Sequence, residues 1–208
     1  MTADSTSAEV NTGPFGKVPK ERIDRVTLDG LYEMKQQIFQ MSIRAANSGR
    51  LGELASNEEF LTILDHFRTD VGALWLRLKR QLDDDIGKAY QISDSFWKCM
   101  WVSLVRNQLK PQKYYATCGT PSRGYNALVM NLANLPAREQ WLQRWGCGSW
   151  KEYGRAVLTT GNQLAEKEKE YRDTAIAIAQ IGVGVGGMLL GILGLGLSLI
   201  FSLLPRSP

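Results

Sequence analysis

Apolar residues recur at steps of three and four along most of this chain, and that spacing predicts one helix after another. Leu28, Leu31, Met34, Ile38, Met41 and Ala45 mark the first, which Asn47-Ser48-Gly49 closes. Ser56-Asn57-Glu58-Glu59 has the form of a capping box, the serine oxygen accepting from an amide of the first turn while Glu59 reaches back. Phe60, Leu64, Phe67, Val71, Leu74, Leu78 and Leu82 follow at steps of four and three, the pattern of a bundle helix that ends near Asp83-Asp84-Asp85. A turn is expected from Gly87 to Ser93.

A third helix is expected from Asp94 to Leu109, with Phe96, Trp97, Met100, Trp101, Leu104 and Val105 on one broad face, ended by Lys110-Pro111. Gln112 to Gly124 reads as a loop, Tyr125 to Leu135 as a short helix, and Pro136 as the start of another carrying Trp141 and Leu142. Gly146-Cys147-Gly148 breaks the chain, and Ser149-Trp150-Lys151-Glu152 is a second capping box. The helix it opens passes through Tyr153, Val157 and Leu164 and can continue into the apolar segment beyond. No strand-like alternation longer than four residues appears, so the expected fold class is all-α: a soluble bundle of about five or six helices followed by a single C-terminal transmembrane helix.

That last segment changes the picture most. Residues 174–204 carry no charge, and a helix from Ile181 to Leu204 would be about 36 Å long, against a hydrocarbon core of about 30 Å. The chain therefore divides into a disordered leader at 1–25, a cytosol-facing helical domain at 26–165, a charged juxtamembrane segment at 166–173, the anchor at 174–204 and a short tail at 205–208. The expectation is a tail-anchored, single-pass protein with its N-terminal domain in the cytosol. Lys167, Lys169 and Arg172 precede the anchor and Arg206 follows it, an asymmetry of the sign that places the domain inside. Met1 to Lys20 lacks the apolar stretch of a signal peptide.

Over 208 residues the composition is that of a globular protein, 44 % hydrophobic and 22 % charged, and the net charge of +4 is unevenly spread. No acidic residue stands between Asp94 and Glu139, where Trp97, Lys98, Trp101, Arg106, Lys110 and Lys113 combine aromatic and basic groups. These are candidates for an anionic lipid or partner surface, the helix lying at headgroup depth. The competing reading, favoured because a domain of this size needs a thoroughly apolar central helix, puts the same aromatic face in the core. Nucleic acid is set aside as a partner, because no recognisable binding module accompanies the basic residues.

Within the anchor, Gly184, Gly187, Gly191, Gly194 and Ser198 form a small-residue stripe at steps of three and four, a candidate surface for helix association with a second copy or another membrane protein. Gly182-x-Gly184-x-x-Gly187 matches a dinucleotide fingerprint in spelling only, since it lies inside an apolar helix with no strand before it. Cys99, Cys118 and Cys147 show neither disulfide nor zinc spacing and read as buried small residues. His66, the one histidine, stands beside Asp65 at adjacent helical positions that do not face each other, and Asp83-Asp84-Asp85 reads as a solvated helix end. No catalytic residue, metal ligand, cofactor or small-molecule substrate is expected, and the protein is not expected to be an enzyme.

Trp141-Leu142-Gln143-Arg144-Trp145-Gly146-Cys147-Gly148-Ser149-Trp150, ahead of a C-terminal anchor, resembles the second homology region of the Bcl-2 family of apoptosis regulators, where a Trp-Ile pair precedes Gly-Gly-Trp. Cys147 separates the glycines, Ser149 intervenes, no Asn-Trp-Gly-Arg motif occurs, and Leu64 to Arg68 does not supply a death-motif core. No functional residue carries over. The expected function is a tail-anchored scaffold whose helical domain recruits partners at a membrane and whose anchor self-associates. The alternatives are a membrane-active, pore-forming or holin-like protein and a divergent Bcl-2-like regulator.

Overall fold

The computed structural model describes residues 9–12, 15–105 and 120–203, and it is mostly helical. In chain order the elements are β1 (Glu9–Asn11), β2 (Lys17–Pro19), α1 (Lys20–Arg25), α2 (Leu28–Asn47), a 3-10 turn (Leu51–Ser56), α3 (Glu58–Ser93) and α4 (Phe96–Val105). After these come α5 (Pro121–Met130), a second 3-10 turn (Asn131–Asn134), α6 (Arg138–Arg144) and α7 (Trp150–Leu203). The chain falls into two compact units, Met1–Leu82 with Tyr114–Glu168 and Asp83–Lys113 with Lys169–Pro208.

In the first unit α3 is the central element. Every residue of its predicted stripe from Phe60 to Leu82 is buried, because steps of three and four keep these side chains on one face. Leu31 and Ile38 of α2 join the same core, with Leu28, Met34, Met41 and Ala45 half-buried against it. The cap of α3 lies one residue later than the capping box implied. Asn57 Oδ1 accepts from the Phe60 amide at 2.8 Å, while the Ser56 hydroxyl donates to the Glu53 carbonyl inside the preceding 3-10 turn. The second box forms in altered shape: Ser149 Oγ accepts from the Glu152 amide at 3.3 Å, and Glu152 reaches past the cap to the Gly148 amide at 2.6 Å.

An aromatic cluster closes this core. Trp141 stacks on Trp145 with ring centroids 4.9 Å apart, and Tyr153 meets Trp141 edge-on at 4.3 Å. Tyr153 donates to the Val129 carbonyl at 2.7 Å and, elsewhere in this core, Trp75 Nε1 donates to the Thr160 carbonyl at 3.2 Å, whereas Trp145 Nε1 is buried without a hydrogen-bond partner among the described residues. Glu168 grips the start of α5, taking the Ser122 amide on one oxygen and the Ser122 hydroxyl on the other, both at 2.6 Å. A carboxylate there meets the unsatisfied amides of a helix N-terminus.

The leader expected to be disordered is ordered over its described part. β1 and β2 pair antiparallel, with Val10 opposite Val18, and α1 follows directly. Phe15, Val18 and Ile23 are buried in the first core. The strands are three residues each, too short for alternation to show, so the all-α reading missed them. Gly16, at φ +83°, turns the chain between them and accepts from both the amide and the hydroxyl of Thr12.

The second unit is built on the end of α3, on α4 and on the later part of α7. The expected turn at 87–93 is absent: α3 runs on to Ser93, because Ile86 and Ala89 continue the apolar stripe past the aspartates. Ile86, Ala89, Cys99, Val102, Tyr171 and Ile178 form its core, with Ile92 half-buried against them. α4 begins at Phe96, and its expected end near Leu109 lies outside the described residues, as do Cys118, Arg206 and most of the 112–124 loop. α5 starts at Pro121, inside that expected loop.

Candidate functional site

α7 remains helical without a break from Trp150 to Leu203, Gly161 included, and its later part is the feature that sets the protein's chemistry. From Ile181 onward the large apolar side chains lie open: Val183 is 73 % exposed, Leu190 72 %, Leu195 70 % and Phe201 72 %. By length and composition this helix could cross a membrane; the mean hydropathy of its most apolar window is 2.2, and none of that window is buried in the protein. A bare helix of about 34 Å by 10 Å presents on the order of 1,000 Å² of surface. Soluble monomers rarely expose contiguous apolar patches beyond a few hundred Å².

The two faces of this helix differ. Tyr171, Ile178 and Gly182 are buried and fall within about 60° of one another at 100° per residue. Gly184, Gly187, Gly191, Gly194 and Ser198 sit about 180° away, and a Cβ added at Gly184, Gly187, Gly191 or Gly194 would meet nothing within 4 Å. The stripe is thus the face turned away from the second unit's core.

α4 corrects the expected core placement of its aromatic residues. Trp97 is 67 % exposed, Trp101 59 % and Phe96 51 %, and the residues that pack inward are Cys99 and Val102. Phe96 and Trp97 meet edge-on at 5.6 Å, and Lys98 is exposed beside them. Cys99 is held by a weak bond from its thiol to the Ile92 carbonyl at 3.2 Å. Of the basic residues grouped with these in the sequence, Arg106, Lys110 and Lys113 lie outside the described residues.

Asp85 departs from the solvated helix end expected of it. It is buried, and among the described residues its Oδ2 has no hydrogen-bond partner. Burial raises its pKa above the ordinary 3.8, Lys88 draws it back and Asp84 adds to the rise; burial, and then Asp85 itself, raise Tyr171 in turn. The sequence did hold a signal, because a step of three from Leu82 lands on Asp85 and keeps it on the apolar stripe. A carboxyl whose folded pKa is raised contributes stability as the neutral acid, fully present below 3.8 and lost as pH rises through the folded value. Amides from Ile86 to Ile92 are therefore expected to exchange hydrogen more slowly in mild acid than at neutral pH after correction for intrinsic rates, and Asp85→Asn to abolish the difference. Equal protection at both pH values in the parent would refute this. Nearby, Tyr90 donates to Glu170 Oε1 at 2.9 Å, and that bond raises the phenol's pKa.

Elsewhere the polar groups serve the fold. A cleft of about 540 Å³ in the first unit is lined by Val26, Thr27, Tyr32, Arg77 and Arg123. Arg77 donates to the Val26 carbonyl at 2.7 Å, and Thr27 caps α2 by accepting from Gly30. His66 is exposed, and Cys147 is half-buried with its thiol pKa raised by burial. Among the described residues no group of three or more His, Cys, Asp or Glu side chains is placed to hold a metal ion. No protein-family model, curated protein or solved structure matches this chain.

Proposed function

We propose that this is a single-pass membrane protein whose helical domain is held at a membrane surface by α7 to recruit or scaffold partners, with copies associating through the glycine stripe. The observation that carries the reading is the apolar length of α7 from Ile181, left uncovered among the described residues. Fully burying each Leu, Ile, Val or Phe is worth about 1.5–3 kcal/mol, so a helix of this composition left in water would find another apolar phase. A bilayer supplies one, and a helix satisfies all its own backbone groups inside it. The stripe supports self-association because it lies opposite the buried face, leaving it open to close helix approach. Lys167, Lys169 and Arg172 ahead of the span favour the cytosolic side for the domain.

The test compares the full chain with a chain ending at Asp173 and with Gly187→Ile/Gly191→Ile. The full chain is expected to resist alkaline carbonate and the shortened one to be soluble. The double isoleucine variant is expected to stay in the membrane but lose its cross-linked dimer. Carbonate release of the full chain would end the anchor reading, and an undiminished dimer in the variant would end the stripe reading.

A further inference from the structure

We propose that the aromatic face of α4, formed by Phe96, Trp97 and Trp101, is a second membrane contact that lies in the headgroup layer of the bilayer crossed by α7. This rests on the reading of α7 as a span. α4 is amphipathic in an unusual sense, apolar on two opposite sides. Cys99 and Val102 face the second unit's core, while Trp97 and Trp101 project on roughly the opposite side at 100° per residue and Phe96 lies on the flank against Trp97; all three are more than half exposed. Three large aromatic groups left in water on a helix already anchored by its other face call for a covering surface.

Position along α7 identifies that surface as lipid. α4 shares its core with Tyr171 and Ile178, the turns just before Ile181, where the exposed apolar run begins. At 1.5 Å per residue, Ile178 and Tyr171 lie about 5 and 15 Å before that start. The headgroup region on each side of a bilayer is about 5–8 Å thick, so a helix packed at this level meets it. Tryptophan favours that layer because its ring is apolar and its indole N–H seeks a wet acceptor. Lys98, exposed on the same helix, supplies a positive charge at the level of the lipid phosphates, while on α7 the exposed Lys169 and Arg172 are balanced by the exposed Glu170 and Asp173. α4 would then fix the second unit's orientation on the membrane, which one span alone leaves free to rotate.

Tryptophan quenching tests this in the full chain, reconstituted in phosphatidylcholine–phosphatidylserine vesicles with bromines carried either high or low on the acyl chains. Trp75, Trp141 and Trp145 are buried in the first core, which limits their contribution to the signal. The expected result is stronger quenching by the high bromines than the low ones, most of it lost in Trp97→Phe/Trp101→Phe. Quenching that is absent from the parent or unchanged in the variant, with both proteins still carbonate-resistant, would overturn the proposal for α4 while leaving α7 standing. That outcome would turn the face over to a protein partner. A parent chain extracted by carbonate would overturn both readings together.

Discussion

Leu190→Arg combined with Leu193→Arg is expected to move the protein from the carbonate-resistant membrane fraction to the soluble or peripheral one. Both side chains are among the most open on α7, at 72 % and 62 %, and neither touches the first or second core. The domain therefore has no reason to unfold. Each arginine near the middle of a span costs about 2.5–3.5 kcal/mol on the insertion scale, and each leucine removed forfeits about 0.3–0.6 kcal/mol. The pair together costs about 6–8 kcal/mol, comparable with everything the remaining Leu, Ile, Val and Phe residues contribute on the same scale. Both positions also lie off the glycine stripe, so the change acts on insertion and not on association. Leu190→Ala/Leu193→Ala should remain membrane-bound. If the double arginine protein were as carbonate-resistant as its parent, the apolar length of α7 would not be what holds it.

Gly72→Val is expected to lower stability by about 3 kcal/mol, since overpacking alone costs about 1–3 kcal/mol and the hairpin's packing is lost with it. A Cβ at Gly72 would stand 2.9 Å from Phe15 Cβ, 3.0 Å from Thr12 Oγ1 and 3.2 Å from Val18 Cγ2. Phe15 Cβ is fixed to the hairpin backbone and cannot swing aside, and its ring is already held edge-on against Trp145 at 4.9 Å. The notch at Gly72 is what lets β1 and β2 lie against α3. At about 2–4 °C per kcal/mol for a protein of this size, the melting temperature should fall by about 6–12 °C. Gly154→Ala on α7 is the control: a Cβ there meets nothing within 4 Å, so the helix should gain about 0.5–1 kcal/mol. A Gly72→Val protein that melts with its parent would show that the hairpin does not depend on this seat.

Much of the helical layout was legible in the residues. The stripe from Phe60 to Leu82 is buried throughout, and the helix opened at Ser149 does run unbroken into the apolar segment. These readings hold because a period near 3.6 carries its own signature, and because nothing in a helix of that kind depends on distant chain. The hairpin was not legible, since three-residue strands show no period and their burial depends on a glycine more than fifty residues later. The end of α3 was misjudged for a related reason: Asp83-Asp84-Asp85 and Gly87 look like a stop, yet Ile86 and Ala89 have a core to enter.

The candidate site divides along the same line. Sequence alone determined that α7 carries a long uncharged apolar length with a small-residue stripe, because hydropathy and spacing are properties of consecutive residues. It also determined that α4 concentrates tryptophan. Only the tertiary structure decided which side of α4 faces in, that Asp85 is buried, and that the stripe of α7 lies opposite its packed face. An apolar side chain has the same pattern whether protein or lipid will cover it; the difference lies in which neighbours the fold brings to it.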